Sequence, residues 1–514
     1  MKRFLWLGFV LSVYLICTGC GETFRPIIIP NPPTFPNPSA SNSVLTVNDN
    51  GDFTQGSAMS IDVAGDADIS NHNVDIHPVH AVQQTASEVL VVNQAVNGLN
   101  IGTTTCLVVE TPPPPQPPTT YDVCPSLWKL SFNGESISST SSVSLPIYAG
   151  ANFVASAPSD SLAYVAMPTY PPDPTVPTAI QPSVQVVNTL SNVLGPILPV
   201  GSNPYALAVT FDKTKLYVAN EGDSTISGFD TNSGNPSSRT GSPTSTSSSP
   251  IWLTARADSQ AVYVLEKDGL LAWLNTTSTA GPDIFTETSN PAISIPGATL
   301  MVYDPNKNRL YIPGESQLGI VDVSQSPPQY LSGGSIKGPI TTCQVSQTNC
   351  IATVLPSLRA TTDPCYTTSP QELTIVAAAA LPDGSQAYVG AYYVDSADNI
   401  CPQVTPIDAV SFAVGTSIAI PGFPDATSPT LSGGAQNPYY VPACVNARFR
   451  FMMAAGGDSS RTYLSSCDGG AVNIVDTTIE SYIEDLPAPI GARAPIPPNL
   501  LNPSQNPIFL LAGP

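Results

Sequence analysis

The chain has 514 residues, 42% of them apolar and only 11% charged, with a formal net charge of −21. The apolar share suffices for a packed core, while the charged share falls well below the roughly 25% usual in soluble domains, so Ser, Thr, Asn and Gln must build the surface, a composition commoner outside the cytoplasm. An acid excess of this size argues against nucleic acid as a partner, because phosphate recognition needs a basic patch, and against electrostatic adsorption to anionic lipid.

Lys2 and Arg3 open the chain, and Phe4 to Ile16 is an apolar stretch. That stretch is too short to span a bilayer, which takes about 20 residues. Small residues follow in Ile16-Cys17-Thr18-Gly19-Cys20. The segment resembles a bacterial lipoprotein signal, in which the leader is cut before a cysteine that carries the lipid. The resemblance implies a leader over 1–19 and lipidation of Cys20. Cys17 departs from it by standing where Leu is usual, which leaves an ordinary secretory leader or an uncleaved anchor as alternatives. Cleavage leaves 15 of the 17 basic residues against 38 acidic ones, a charge of −23. Membrane attachment then comes from acyl chains. Gly21 stands where Asp would signal inner-membrane retention, so the expected location is the cell envelope, at the outer membrane. Residues 20–42 follow as a tether, with Pro26, Pro30, Pro32, Pro33, Pro36 and Pro38 extending it at ~3.1 Å per residue.

From residue 43 to 514 one grammar recurs. The clearest copy starts with an apolar run, Tyr205 to Phe211, and turns at Asp212-Lys213-Thr214-Lys215. A β-branched and aromatic strand follows in Leu216-Tyr217-Val218-Ala219-Asn220, then a turn at Glu221-Gly222-Asp223 and a third strand ending at Phe229-Asp230. The middle strand recurs around Leu90, Tyr164, Tyr263, Tyr311, Tyr388 and Tyr463, making seven copies with Tyr217. The third strand ends each time in Asp or Asn: Asn133, Asn188, Asp230, Asn275, Asp322, Asp408 and Asp476. A short polar side chain at that place bonds the backbone just beyond and closes a turn, which is a structural duty. Insertions lie at Pro112–Pro118, at Pro168–Pro182 and from Thr341 to about Ser369, and a Ser/Thr-rich tract at 237–249 reads as a surface loop.

Antiparallel units repeated in this way predict an all-β fold, a seven-bladed β-propeller. Blade packs on blade, because one copy cannot cover its own apolar faces, and ring closure removes sheet edges. Asn42–Val47 and Ile508–Ala512 are the candidate closing strands. Six or eight blades are possible if an insertion hides or mimics a unit. The copy "LYVANEGDSTISGFDTNSG" resembles the YVTN-type propeller repeat and is similar to the repeats of lactonase-like seven-bladed propellers. The resemblance covers roughly residues 43–480 and bears on fold far more than on function.

Without Cys17 and Cys20, eight of the ten cysteines remain, an even number that invites disulfides in an exported protein. Cys365 and Cys401 are centred on the turn at Asp383, and Cys444 and Cys467 on the turn at Gly456-Gly457-Asp458. Cys106 and Cys124 flank the Pro112–Pro118 loop, and Cys343 and Cys350 would close a small one. Sequential pairing is therefore expected: 106–124, 343–350, 365–401 and 444–467. Zinc is disfavoured because no close Cys-x-x-Cys pair exists among these eight.

Candidate chemistry is sparse. The three histidines, His72, His77 and His80, cluster in "SNHNVDIHPVHAV". Pro78 aligns with Pro204, which places His80 near the start of the innermost strand of the first copy, on the channel. His77 and His80, three apart, point to opposite faces of a strand and make a poor chelating pair unless the chain bends. Both stay candidates for a ligand or metal. Asp62, Asp66 and Asp68, with Asp75 nearby, offer oxygens for calcium but lack an EF-hand's glycine and terminal glutamate, so a solvated acidic turn is preferred. Arg448 and Arg450 lie near the channel on one face; they can receive a carboxylate or, preferably, pair with acids. No nucleophile elbow, phosphate loop or metalloprotease helix is present, and no cofactor is expected.

The first functional reading is a lipid-anchored, monomeric propeller of the envelope that binds an unidentified protein, peptide or glycan through loops on one face, without catalysis. The alternative is a lactonase-like hydrolase using channel residues of the first blade, His80 above all. A third, a propeller holding a quinone cofactor for oxidation, is weaker, with only four Trp and few channel charges.

Overall fold

The structure is a computed structural model. It describes residues 43–50, 55–94, 107–110, 119–122, 125–132, 136–146, 150–168, 182–232, 235–289, 292–331, 338–343, 349–366, 372–445, 447–487 and 506–512. The leader, the tether, Cys20, Cys106 and Cys124 lie outside the described residues.

Eight antiparallel sheets form a closed propeller, one more than the seven copies predict. In blades 1 to 7 the chain runs outward from the channel. The innermost strands are Pro78–Thr85, Phe153–Ala155, Pro204–Val209, Pro250–Ala255, Val302–Asp304, Thr374–Ala380 and Phe451–Ala455. The eighth blade is the closure itself. Asn506–Ala512 supplies its innermost strand and pairs with Ser43–Asp49, which pairs in turn with Ser57–Asp62 and then Ala67–Asn73. The two candidate closing strands thus build a whole extra blade together instead of completing one of seven. The repeat pattern does not reveal it because its strands come from opposite ends of the chain.

That place is constant. Leu45, Leu90, Tyr164, Tyr217, Tyr263, Tyr311, Tyr388 and Tyr463 are each the third residue of their blade's second strand. The six tyrosines are 0–2% exposed. A phenol suits the site because its ring fills the gap between two sheets, and in Tyr217, Tyr263 and Tyr388 the hydroxyl reaches polar groups of the next blade. Tyr263 donates to the Val323 carbonyl at 3.1 Å, and Tyr388 to the Thr477 carbonyl at 3.4 Å, in each case one residue past the end of the neighbouring third strand. Five of the seven Asp and Asn residues at the strand ends close turns, as expected, while Asp230 instead meets Arg239 and Asn133 lies outside the described residues. Oδ1 of Asn188, Asn275, Asp322, Asp408 and Asp476 accepts a backbone N–H two residues on. Asp62 does the same at the end of the third strand of the eighth blade, accepting from Ala64 and Gly65.

At one end of the ring, the hairpins joining first to second strands are short. They hold Ser159, Lys213, Ser259, Asn308, Gly384 and Ser459 at φ between +49° and +68°. Only one of the six is glycine, so the tight turn outweighs the cost of placing an L residue there. The opposite end is where innermost strands begin and second strands stop, and the long connections leave from it. These are the segments from Asn93 to Ser126, from Met167 to Ser183, from Cys343 to Thr374 and from Pro424 to Phe451. The hairpin Gln386–Val394/Asn399–Asp408 also rises there, longer than its counterparts.

Three disulfides brace that end: Cys343–Cys350, Cys365–Cys401 and Cys444–Cys467. The pairings match expectation, but not for the geometric reason behind them. Cys401 faces Tyr393 across its hairpin, and its bridge partner Cys365 lies in the preceding connection. Cys444 sits on a short helix, Pro442–Val445, not on a strand. Both bridges tie an insertion to a blade. No helix among the described residues is long and apolar enough to cross a membrane.

Candidate functional site

Innermost strands open with proline at Pro78, Pro204 and Pro250, and Pro507 holds the equivalent place in the closing strand. Proline is tolerated at the start of a strand that has a neighbour on one side only. The register then slips by one residue directly after each of these prolines, skipping Val79, Tyr205, Ile251 and Ile508. Such a bulge re-aims the residues that follow. In three blades a ring comes next: His80, Trp252 and Phe509.

With Phe153 and Phe449 these rings close a cycle across the channel. Centroid separations are 3.8 Å for His80–Phe153, 5.8 Å for Phe153–Trp252 and 5.7 Å for Trp252–Phe449. Phe449–Phe509 at 5.6 Å and Phe509–His80 at 4.6 Å complete it. The axis is therefore plugged by aromatic packing. Reading the sequence for charges and histidines missed Phe153, Tyr205, Trp252, Phe449 and Phe509. The signal was present as Pro-x-ring, repeated at Pro78, Pro250 and Pro507.

Arg448 sits against this plug. Its guanidinium carbon lies 3.8 Å from the Tyr205 ring centre, 4.8 Å from Phe153 and 5.5 Å from both Trp252 and Phe449. Such contacts stabilise a desolvated cation by up to about 2 kcal/mol each. It donates to the carbonyls of Tyr205 and Ile251. Burial pushes its pKa down to about 10, against the opposing pull of Tyr205 and Glu221, which leaves it charged at neutral pH. Pairing with an acid, the expected fate of both arginines, holds for Arg450 alone. Arg450 binds Asp468 at 2.6 Å and Asp425 at 2.9 Å, fastening the 425–450 connection to its blade.

The histidines do not converge. His72 is half-buried, its ring 6.0 Å from that of Trp128, and burial lowers its pKa. His77, at φ +49°, sets Nδ1 3.0 Å from Asp49 Oδ2. His80 is enclosed in the plug. Burial, with help from the Arg448 charge, holds its pKa well below the ordinary 6.5, against a weaker raising pull from the Val154 backbone. The ring is thus held neutral and packed against Phe153 and Phe509. The folded state refuses a proton that the unfolded chain accepts near pH 6.5. Stability is therefore full above that pH and declines below it, by up to about 1.4 kcal/mol per pH unit. His80→Phe is expected to flatten this acid limb, read by urea unfolding at pH 7.5 and pH 5; equal slopes for variant and wild type would contradict it.

The calcium option fails in geometry. Asp62 closes its turn, Asp66 clasps Arg461 of the seventh blade at 2.8 Å, and Asp68 accepts from Ser70 and Asn71. Asp75 accepts from Ser126 and Trp128. The one group of metal-type side chains close enough together among the described residues is Cys365, Asp395 and Cys401, whose sulfurs are bonded to each other.

Two cavities flank the plug at the insertion-bearing end, and Ala447 and Arg448 line both. The larger, about 470 Å³, adds Asp49, His77, Gln94, Asn152, Asn203 and Tyr205 to apolar walls. The smaller, about 330 Å³, includes Glu315, Tyr392 and Arg450. The first lies in the usual size range of small-ligand sites.

The fold and site thus define a closed eight-bladed β-propeller with a plugged axis and a decorated face. No family model and no curated relative matches the chain. Solved structures do. Apo AztD from Citrobacter koseri is similar at a TM-score of 0.50 and 9% identity, over 92% of this chain and 99% of that one. Dihydro-heme d1 dehydrogenase NirN gives 0.50 at 10% identity, over 94% and 77%. The periplasmic gluconolactonase PpgL of Pseudomonas aeruginosa gives 0.46 at 10%, over 92% and 99%. Likeness at such identity speaks for the fold alone.

Proposed function

We propose that the protein is a non-enzymatic binding propeller, anchored to the cell envelope through lipid on Cys20, that engages its partner with the insertion-bearing face. The observation that carries this is the segregation of every long connection and all three observed disulfides to the end where the cavities open. Binding residues concentrate on loops held by a rigid scaffold, and crosslinks here hold the loops. The aromatic plug favours binding over transport or chemistry along the axis.

The test is capture from envelope extract. Leu355 and Leu358 are 43% and 65% exposed on the 344–373 connection. A Leu355→Ser/Leu358→Ser double variant should keep its fold and lose a specific partner that wild type retains; equal capture by both would contradict the proposal. Alkynyl-palmitate labelling of wild type but not of Cys20→Ser is the accompanying result for the anchor.

A second reading, hydrolysis, has one observation in its favour. The His77–Asp49 pair lies on the wall of the larger cavity, and a carboxylate that orients an imidazole is a common general-base arrangement. Turnover across a lactone panel, abolished by His77→Ala with the fold intact, would replace the binding proposal with this one.

A further inference from the structure

Arg448 is the anomaly of the site. Arg448 is half-buried, while the fully buried arginines of the described residues each meet a carboxylate: Arg239 meets Asp283 and Asp230, Arg256 meets Asp258, Arg359 meets Asp363, and Arg461 meets Asp66 and Asp476; half-buried Arg309 shares with Arg448 a partnership of ring and backbone carbonyl. Among the described residues no carboxylate lies within ion-pair distance of Arg448. Glu221, whose charge it feels, is committed to Lys267 and Asn203. A buried charge without a counter-ion is costly, and cation–π contacts with backbone carbonyls offset only part of that cost. Of its five N–H groups, two go to the carbonyls of Tyr205 and Ile251, and part of its surface still faces the cavities.

The two cavities differ in what they offer an anion. The smaller carries Glu315, which repels one, and its Arg450 is already held by Asp425 and Asp468. In the larger, Asp49 is paired with His77, and the carboxamides of Gln94, Asn152 and Asn203 line the wall with Tyr205. Pro78, Val79, Pro168, Pro442, Ala443 and Ile508 supply the apolar remainder. We infer that the cavity of about 470 Å³ binds a small organic monocarboxylate, with Arg448 as counter-ion for the carboxylate and the apolar wall against the body of the ligand. This rests on the binding reading above and names the ligand class of that face. The guanidinium suits the role because its planar fork takes both oxygens of one carboxylate.

Trp252 reports the event, since its ring lies 5.5 Å from the Arg448 guanidinium. Full-length protein in a non-ionic detergent is titrated with cyclohexanecarboxylate and with the neutral, near-isosteric cyclohexanecarboxamide. Expected is a saturable change in tryptophan emission and a rise in melting temperature with the carboxylate, at least tenfold weaker with the amide. Both responses should vanish in Arg448→Met, and the emission change should vanish in Trp252→Phe. Equal binding of acid and amide, no saturable response, or undiminished binding by Arg448→Met would each overturn the assignment. Where Arg448→Met does not fold, Ala443→Phe decides. Ala443 lines the larger cavity and not the smaller, so filling it should abolish carboxylate binding, and retained binding overturns the site. Partner capture is unaffected by these outcomes, so failure of the carboxylate site and failure of the docking face read out separately.

Discussion

A chain that ends at residue 505 is expected to lose its cooperative fold. The missing strand, Asn506–Ala512, is the innermost one of the eighth blade and the one strand by which the C-terminal end of the chain enters that sheet. Ile508, Phe509 and Leu510 are 4%, 6% and 3% exposed. At about 1.5–3 kcal/mol for each buried side chain, their loss alone removes roughly 5–9 kcal/mol, comparable to the 5–15 kcal/mol that holds a typical domain folded. Truncation also uncovers the edge of Ser43–Asp49 and takes Phe509 out of the aromatic cycle. The measurement is calorimetric melting with limited proteolysis. A truncated chain that melts as the full one does would show that the ring does not depend on this closure. Phe509→Ala isolates the plug and should cost about 3–5 kcal/mol.

The next largest effect is expected at Asp283. This carboxylate, 4% exposed, lies between two buried cations: Lys215 Nζ at 3.1 Å and Arg239 Nε at 2.7 Å. It also accepts from the Tyr217 hydroxyl at 2.6 Å, a bond that together with burial pushes the phenol's pKa far up. The cluster joins the third blade to the fourth. Asp283→Asn keeps the shape and removes the charge, leaving Lys215 with backbone carbonyls alone and Arg239 with Asp230 as its one remaining carboxylate. Breaking a buried pair from one side costs about 3–5 kcal/mol. A urea midpoint unchanged beyond error would refute this account. Tyr217→Phe removes only a hydroxyl and should cost less, about 1–2 kcal/mol.

The structure also separates what patterning reveals from what it hides. The second and third strands of blades 1 to 7 were legible, since each buries both faces against neighbouring sheets and therefore reads as an apolar run between turn residues. The strand-end Asp and Asn residues were legible for the same kind of reason, because their partners lie two residues away in sequence. The eighth blade was not. Its strands come from opposite ends of the chain, so no stretch of sequence carries the whole unit. The site was read only in part. His80, Arg448 and Arg450 were placed near the channel from the alignment of Pro78 with Pro204 and from alternation. The partners of His80 and Arg448 come from other blades, far away in sequence, whereas Arg450 pairs within its own blade and the connection before it.

What the amino-acid sequence determined by itself is the module and its manner of packing, because hydrophobic period and turn chemistry act over a few residues. What only the tertiary structure decided is the number of modules that close the circle, which end carries the insertions, and the pairing of the two arginines. Arg450 meets Asp425 and Asp468 while Arg448 meets rings from blades 2, 3 and 4. The physical reason is that closure and charge pairing depend on distances across the ring, which curvature sets once all the sheets are in contact.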